Sequence, residues 1–232
     1  DPSLAGPYYN MGIILKRNGR VEEAIDNYKK AISLKPNYVQ AYNNLGVLYK
    51  DNEKYENAIE MFMQAKEIQP DHQNSYYNLA LIKKEQGLSE EAIELLLQLL
   101  KLNPEHNEAK LLCSIMSLQL GYFREGWGYY EYRWKVSPGN KVIWPFPDKP
   151  SWKGEREKHV VIWKEQGIGD QVIFLSSMSE VRDMCASLSV YVDPRLQPLC
   201  RRAMPEINFV KDINELKEVE SDYHLPLGSV PG

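Results

Sequence analysis

The sequence feature that most constrains the fold of this chain is a period of 34 residues. Prolines recur at that spacing in four places, Pro36, Pro70, Pro104 and Pro138. Small residues recur in two further registers, Ala24, Ala58, Ala92 and Gly126 in one and Gly12, Gly46, Ala80 and Ser114 in the other. A fixed period of roughly 20–50 residues indicates an array of similar units that bury their apolar faces against one another.

Within each period the apolar residues are spaced as on one face of a helix, for example at Ile25, Tyr28 and Ile32. Each period is therefore predicted to fold as two amphipathic helices that approach closely at the small residues. Proline ends the second helix because it cannot continue the ladder of hydrogen bonds. The turn between the helices is predicted to need a left-handed residue, and the candidates are Gly19, Asn52, Gly87 and Gly121.

Three segments resemble the tetratricopeptide repeat, TPR, in length and in nearly every signature position: YYNMGIILKRNGRVEEAIDNYKKAISLKP, YNNLGVLYKDNEKYENAIEMFMQAKEIQP and YYNLALIKKEQGLSEEAIELLLQLLKLNP. A fourth, AKLLCSIMSLQLGYFREGWGYYEYRWKVSP, keeps the spacing but adds Trp127 and Trp134. The resemblance implies a TPR α-α superhelix, or solenoid, over residues 5–138, with repeats near 5–38, 39–72, 73–106 and 107–140. In TPR proteins the first helices line a concave groove that usually binds a protein or peptide ligand.

One column of this array carries carboxamides, because Asn10, Asn44 and Asn78 occupy the sixth position of the first three repeats. A carboxamide both donates and accepts hydrogen bonds, so it can match the backbone of an extended peptide without reading its side chains. The column resembles the asparagine ladder of the TPR domains of O-linked N-acetylglucosamine transferases, and it ends at Leu112. Asparagine is also common at this TPR position for local structural reasons, and the sequence leaves both interpretations open.

A second column is cationic and consists of Lys16, Lys50 and Lys84, with Arg17 beside the first. On the concave face these charges would attract an acidic segment or a C-terminal carboxylate of a partner, as in TPR carboxylate clamps. A solvated helix face is the alternative interpretation. Four further side chains are predicted to flank the groove, namely Tyr9, Asn43, Asn74 and Tyr77.

The period stops after Pro138, and residues 139–158 are rich in Pro, Gly, Trp and charge, which is typical of a linker. Trp144, Phe146 and Trp152 are predicted to hold this linker on a surface. Residues 159–232 alternate strands with helices, which predicts a parallel sheet. The predicted strands are 159–163, 187–193, 208–212 and DYHLPL near the end, and the predicted helices are DQVIFLSSMSEVRDM and a segment starting on Pro194.

The overall fold class is therefore mainly α, with a TPR solenoid followed by a small, incomplete α/β Rossmann-like domain. The end of the array and the start of this domain resemble bacterial proteins in which TPRs precede a glycosyltransferase-like domain related to the heptosyltransferases. The motifs that carry this resemblance are Gly126-Trp127, Tyr130-Glu131, Arg133-Trp134, Trp152, Gly154-Glu155, Glu165-Gln166-Gly167 and Gly169-Asp170. It implies the GT-B fold, in which two Rossmann-like domains bind a nucleotide sugar between them.

The segment WKEQGIGDQVIF places Gly167, Ile168, Gly169 and Asp170 between a strand and a helix. Backbone N–H groups at a helix start suit a phosphate or another anion, although the segment is neither a Walker loop nor a dinucleotide fingerprint. The resemblance implies that Asp170 is a general base toward an acceptor hydroxyl, and an N-terminal cap of its helix is the alternative. Glu165 is a further candidate carboxylate.

Because the chain ends 62 residues after Asp170, too early for a Rossmann domain of roughly 100–150 residues, we expect an incomplete domain without a donor site. No cofactor is predicted, and catalysis by this chain alone is not expected. A nucleotide sugar or glycan is a candidate ligand only if the missing half is supplied. Two functions therefore stay open, a peptide-binding module and the acceptor-side half of a TPR-linked glycosyltransferase.

Composition excludes several other classes. A net charge of −4 argues against a nucleic-acid binder, which usually carries a basic face. Widely spaced Cys113, Cys185 and Cys200 predict reduced thiols rather than disulfides or a zinc site, and the four histidines lack the spacing of metal ligands. No apolar stretch is long enough to cross a bilayer, so the simplest expected location is the cytoplasm. Oligomers through stacking of the repeats stay open.

Overall fold

The computed structural model describes residues 2–136, 145–165 and 167–230. They belong to two compact units, Asp1–Val136 and Ser137–Gly232. Three residues singled out in the sequence, Pro138, Trp144 and Gln166, lie outside the described residues.

The first unit is helical throughout and follows the 34-residue period. After a short 3-10 turn, its first helices begin 34 residues apart and so do its second helices, which confirms the predicted solenoid of helix pairs. The helices are α1 (Ala5–Arg17), α2 (Val21–Leu34), α3 (Val39–Asp51), α4 (Tyr55–Ile68), α5 (Gln73–Glu85), α6 (Ser89–Leu102), α7 (Asn107–Gln119), α8 (Phe123–Tyr130) and the short α9 (Arg133–Val136).

The two helices of a repeat pack closely because small residues face large ones. A Cβ atom added at Gly12 would lie 2.6 Å from the Tyr28 ring, and one at Gly46 would lie 2.7 Å from the Phe62 ring. Contacts that short are repulsive, so the absence of a side chain is what lets these rings seat against the first helix. Phe62 is fully buried as a result.

The turns between paired helices are left-handed at Gly19, Gly87 and Gly121, with φ of 72°, 75° and 81°. The prediction that Asn52 has this role in the second repeat is wrong. Its φ is −108°, and the left-handed residue is Glu53 with φ of 59°. Glu53 is the true register mate of the three glycines, while the Asn52 side chain donates to the Leu48 carbonyl oxygen at 2.7 Å.

The second unit contains a four-stranded parallel sheet in the order β3-β2-β1-β4. The central strand β1 pairs Val161 with Ser189 of β2 on one side and with His224 of β4 on the other. The elements are β1 (His159–Trp163), α10 (Ile168–Leu175), α11 (Met178–Met184), β2 (Ser187–Tyr191), α12 (Gln197–Ala203), β3 (Asn208–Phe209), α13 (Ile213–Glu218) and β4 (Tyr223–Pro226).

Several helix boundaries in this unit differ from the sequence-based expectation. The single helix predicted after β1 is two helices, because α10 ends before Ser176, whose hydroxyl donates back to the Ile173 carbonyl at 2.7 Å. The next helix begins at Gln197 rather than at Pro194, because a turn bonding Leu196 N–H to the Asp193 carbonyl comes first.

The described part of the predicted linker packs within this second unit. Phe146 and Trp152 are both buried. The backbone N–H of Trp152 donates to the His224 carbonyl at 2.9 Å, and the backbone N–H of His224 donates to the Pro150 carbonyl at 3.2 Å. Ser151 thereby forms a parallel bridge with β4, so this segment covers backbone groups along the edge of that strand.

Candidate functional site

Helices α3, α5 and α7 pack into the array and leave one stripe open to solvent, whereas α1 is open on this stripe and on its outer side. On α3 the stripe follows the spacing of a helix face, from Gln40 through Asn44 and Val47 to Asp51. The same positions are exposed or half-buried on the other first helices, except for Leu112 of α7, which is 7% exposed. We call the combined stripes of α1, α3, α5 and α7 the first-helix face. In the described structure α3 contacts α5 directly, so neighbouring stripes adjoin.

The structure places all ten side chains predicted for the groove on this first-helix face. They are half-buried or exposed, as a binding surface requires. They are Tyr9, Asn10, Lys16, Asn43, Asn44, Lys50, Asn74, Tyr77, Asn78 and Lys84.

The three asparagines of the ladder are engaged to different degrees. Asn10 is exposed on α1. The Asn44 amide donates to the Tyr9 hydroxyl at 3.0 Å, which ties α3 to α1. The Asn78 amide donates to the Asn74 carbonyl at 2.9 Å within α5. The Asn44 oxygen also accepts from the Asn43 amide at 3.5 Å. Because a carboxamide has two N–H groups and an oxygen with two lone pairs, bonding capacity is left at Asn44 and, more fully, at Asn78.

The lysine column is partly neutralised by a carboxylate of the same face. Lys16 Nζ lies 3.3 Å from Asp51 Oδ2, and Lys50 Nζ lies 3.4 Å from Asp51 Oδ1. Lys84 is exposed. All three lysines lie in the last turn of their helices, where a cation also interacts favourably with the helix dipole. The column therefore carries a net positive charge and has a structural role at the helix ends.

Aromatic side chains brace the borders between repeats. The Tyr9 ring lies 5.0 Å from that of Tyr38, and the Tyr77 ring stacks on His106 at 5.3 Å between centroids. Burial, followed by the nearby Glu108 carboxylate, raises the pKa of Tyr77. Tyr38 and His106 are the N-cap residues of α3 and α7, so each ring pair joins a first helix to the start of the next first helix, beside the asparagines.

The structure adds a column that the sequence reasoning missed. Between the asparagines and the lysines runs an aliphatic series at the same 34-residue spacing, of which the first three members are half-buried and the last is 38% exposed. The series is Ile13, Val47, Leu81 and Ile115. The period itself was the signal that could have found it, since each member lies three residues after a ladder position.

A separate concavity of about 640 Å³ lies between the second helices α2 and α4 and is floored by α3. Ile32, Leu45 and Met61 supply its apolar part, while Asn57 and Glu60 stand at its polar side. It does not include the asparagine ladder.

The predicted anion-binding turn lies at the carboxyl end of β1 and starts α10. Gly167 is the N-cap residue, and Gly169 and Asp170 are exposed in the first turn. The interpretation of Asp170 as the N-cap is wrong, since Asp170 is the third residue of the helix. A carboxylate there still interacts favourably with the positive end of the helix dipole.

Charged side chains gather near this turn at the ends of β1 and β2. Arg195 holds the pKa of Asp193 down to about 2 through a hydrogen bond, and Lys164 Nζ lies 3.7 Å from the same carboxylate. The buried Gln171 accepts from the Asp193 N–H at 2.8 Å and so fixes α10 to the loop after β2.

Three of the histidines form hydrogen bonds with neighbouring groups of the fold. His72 bonds Ser75 at 2.8 Å, His106 accepts from the Ala109 N–H, and His224 is buried against Trp163. In the part of the chain that the structure describes, no cluster of three His, Cys, Asp or Glu side chains could hold a metal ion. Nor do residues 2–136, 145–165 and 167–230 contain a helix with the length and apolarity needed to cross a membrane.

Comparison with protein families identifies the array. A family model described as TPR repeat matches residues 12–53, and one described as tetratricopeptide repeat matches residues 37–105. Residues 12–105 are tetratricopeptide repeats. Both models end before α7, so the fourth TPR stays a prediction, and the helix pair α7 and α8 with its unbroken register agrees with it.

Relatives of known sequence or structure agree with this identification. Protein FlbA of Caulobacter vibrioides is 33% identical over 95 residues, which are 39% of this chain and 16% of FlbA. The match thus spans a small part of FlbA. Among solved structures, MamA has a TM-score of 0.54 at 21% identity and covers 58% of this chain and 79% of its own.

Two further TPR structures have a TM-score of 0.50. The first TPR of Spaghetti (RPAP3), solved with the HSP90 peptide SRMEEVD, is 22% identical and covers 52% of this chain and 96% of its own. YrrB, described as a TPR protein with an unusual peptide-binding site, is 24% identical and covers 58% of this chain and 69% of its own. At these identities the likeness establishes the fold of the TPR array.

Proposed function

We propose that the TPR array is a protein-protein interaction module that binds an extended peptide, or an extended segment of a partner protein, along the first-helix face. The observation that carries this proposal is that three columns of different chemistry run side by side along one solvent-facing surface. Carboxamides, aliphatic side chains and lysines each recur there at the spacing of 34 residues.

Each column matches a different part of such a ligand. The asparagine amides can pair with peptide N–H and C=O groups. The aliphatic column, Ile13, Val47, Leu81 and Ile115, can bury apolar side chains. Lys84 and the lysine pair around Asp51 favour a ligand with carboxylates. Two TPR proteins of similar fold are described with a peptide ligand or a peptide-binding site, and the peptide on Spaghetti is acidic.

Selection of displayed random peptides on the full chain tests the proposal. We expect an acidic consensus with spaced apolar residues. Val47→Glu and Leu81→Glu place charges in the aliphatic column and should weaken the selected peptides at least tenfold, which is about 1.4 kcal/mol. The HSP90 peptide SRMEEVD serves as a defined acidic probe beside a scrambled version.

Met63→Glu is the matched control, because Met63 is 50% exposed on α4 and lies outside the first-helix face. Asn57→Ala changes the concavity between α2 and α4. Affinity that survives Val47→Glu and Leu81→Glu but falls with Asn57→Ala would move the site to that concavity and contradict the proposal.

A second candidate function concerns the second unit, as the acceptor-side half of a TPR-linked glycosyltransferase that acts on protein or cell-envelope glycans from a nucleotide-sugar donor. Its support is the strand order β3-β2-β1-β4. From β1 the chain adds β2 and β3 on one side of the sheet, and it then adds β4 on the opposite side of β1. Ligands of open parallel sheets bind where the strand order changes sides in this way, outside the carboxyl ends of the strands. The loop from Gly167 to Asp170 follows the carboxyl end of β1.

Titration of the full chain with UDP-glucose, UDP-N-acetylglucosamine and glycan acceptors tests this second candidate. It predicts binding of an acceptor or a nucleotide that Asp170→Asn weakens at least tenfold, while Asp183→Asn on α11, also exposed, leaves binding unchanged. Absence of binding, or equal binding by the two variants, would reject a ligand site at the Gly167 turn.

A further inference from the structure

The outer face of α1 is apolar and open to solvent, which distinguishes it from the same face of every later first helix. This face consists of Tyr8, Met11 and Ile14, with Leu4 just before the helix. Their exposed fractions are 36%, 49%, 52% and 48%. The face lies on a different side of α1 from the asparagine ladder, because Tyr8 and Met11 are displaced around the helix from Asn10 and Ile13.

The register mates of Met11 and Ile14 are buried in each of the other three repeats. The position of Met11 is taken by Leu45, Leu79 and Cys113, which are 1%, 3% and 2% exposed. The position of Ile14 is taken by Leu48, Ile82 and Met116, which are 2%, 0% and 0% exposed. One surface thus occurs four times in this unit, and three of the four copies lie in the core.

The second helix of the preceding repeat is what covers those three copies. Helix α2 packs on α3, α4 on α5, and α6 on α7. In the first of these interfaces Ile25 and Tyr28 of α2 share a core cluster with Leu45 and Leu48, and Ile32 packs against it. The occupant that fits α1 is therefore a helix with apolar residues at the spacing of Ile25, Tyr28 and Ile32.

The charged residues beside this apolar face also indicate which kind of helix would fit it. Glu22, in the first turn of α2, reaches forward to Lys54 in the next repeat, with Oε1 and Nζ 3.5 Å apart. The register mate of Lys54 is Arg20, beside the turn that follows α1. Arg20 already pairs with the Glu23 carboxylate of α2, so the first-turn carboxylate of a second helix seated on α1 would approach that ion pair.

We propose that the outer face of α1 is an interface that binds the second helix of a further repeat of this kind, apolar at those three positions and acidic in its first turn. Terminal repeats of such arrays need a polar outer face for solubility. The outer face of α1 instead has the apolar composition of an interior surface. A contiguous apolar patch that is exposed to solvent indicates an interaction site.

An extended full-length chain tests the proposal. A copy of residues 5–38, with leucine in place of its methionine, replaces residues 1–4, so that the copied α2 precedes α1 as α2 precedes α3. Oxidation by hydrogen peroxide, followed by mass spectrometry, reports the exposure of Met11. Met63 is the internal control, because its exposed fraction of 50% matches the 49% of Met11.

Without the extension, Met11 and Met63 should oxidise at similar rates. With it, we expect oxidation of Met11 to slow at least fivefold while that of Met63 is unchanged. The extension should also raise the Tm of the array by about 5 °C. Met11→Gln combined with Ile14→Gln should remove at least half of this rise while changing the Tm of the unextended chain little.

Equal oxidation of Met11 and Met63 in the extended chain would overturn the proposal. So would a rise in Tm that Met11→Gln with Ile14→Gln leaves intact. Protection of Met11 in the unextended chain that grows with protein concentration, together with a dimer in sedimentation, would identify a second copy as the occupant and contradict the helix proposed here.

Discussion

The two units of this chain reach a stable core by different means. In the TPR array one packing solution is repeated, with a small residue on the first helix facing a large side chain on the second, as Gly46 faces Phe62. In the second unit each element occurs once, and buried polar side chains join the elements. Gln171 bonds the loop after β2, and Gln197 donates to the Val210 and Lys211 carbonyls at 2.9 Å each.

This difference determines where a binding surface arises. Repetition aligns side chains into columns, so the array presents the same chemistry several times along the first-helix face. The second unit instead gathers single groups, such as Asp193, Lys164 and Arg195, at the ends of two strands. A ligand of the array is therefore expected to be long and extended, whereas a ligand of the second unit would be small and held at one point.

The largest expected effect breaks the repeated packing of the array. Phe62→Ala removes a fully buried ring and leaves a cavity beside Gly46, so we expect the free energy of unfolding to fall by about 3–5 kcal/mol. Urea unfolding followed by circular dichroism measures it. Met63→Ala, on the same helix but 50% exposed, should change the stability by less than about 1 kcal/mol. Equal losses would show that the ring is not a repeated core element.

The next prediction addresses the single polar contacts of the second unit through pH. Burial lowers the pKa of His224 from its ordinary value of 6.5, and its Nδ1 accepts from Trp163 Nε1–H at 3.2 Å. Between the lowered pKa and 6.5 the unfolded chain binds more protons than the folded one. The stabilisation that depends on a neutral His224 is therefore fully present above about pH 6.5 and declines as the pH falls below it. The loss is about 1.4 kcal/mol for each pH unit between 6.5 and the pKa of His224 in the folded protein.

Urea unfolding between pH 5 and 8, followed by tryptophan fluorescence in a Trp127→Phe, Trp134→Phe background, measures this decline. The two tryptophans of the first unit are then absent, and Trp152 and Trp163 belong to the second unit. His224→Gln should be less stable at pH 7.5 and should lose much of the pH dependence. His159→Gln is the control, because His159 is exposed. His72 also has a pKa lowered by burial, but it belongs to the first unit. A pH dependence unchanged in His224→Gln would contradict the assignment.

The smallest effect sharpens the comparison at a turn of the array. Glu53 has a left-handed backbone where the other three repeats have glycine, and such a conformation strains a residue with a Cβ atom. Glu53→Gly should therefore raise the free energy of unfolding by about 0.5–1 kcal/mol. Asn52→Gly is the control, because Asn52 has negative φ, and it should destabilise the protein. A gain from Asn52→Gly would mean that the register of this turn is misassigned.

The same contrast explains how much of the fold was readable from the sequence. In the array the period located every helix pair, because each boundary was supported by several copies, and the asparagine and lysine columns followed from it. The role of Glu53 was missed because glutamate carries no turn signal of its own. The bond from Asn44 to Tyr9 was not predictable, since it depends on how far one repeat is rotated against the next.

In the second unit each boundary had to be read once. Strand β1 was found because its β-branched and apolar run, HVVIW, marks a buried strand. The break between α10 and α11 was missed because the apolar pattern continues across it, and the interruption comes from the hydroxyl of Ser176. The start of α12 was placed too early because Asp193 bonds the Arg195 N–H and forms a turn that competes with the helix.

The central claim is that the first-helix face of the array binds peptide backbone through its asparagine ladder. Calorimetric titration of the full chain with a peptide selected on it measures this most directly, with Asn10→Ala, Asn44→Ala and Asn78→Ala combined and with exposed Asn37→Ala as the control. Each lost hydrogen bond contributes about 0.5–1.5 kcal/mol, so the account predicts at least tenfold weaker binding by the triple variant and unchanged binding by the control. Equal affinity of the triple variant and the unaltered chain, with both folded by circular dichroism, would contradict it.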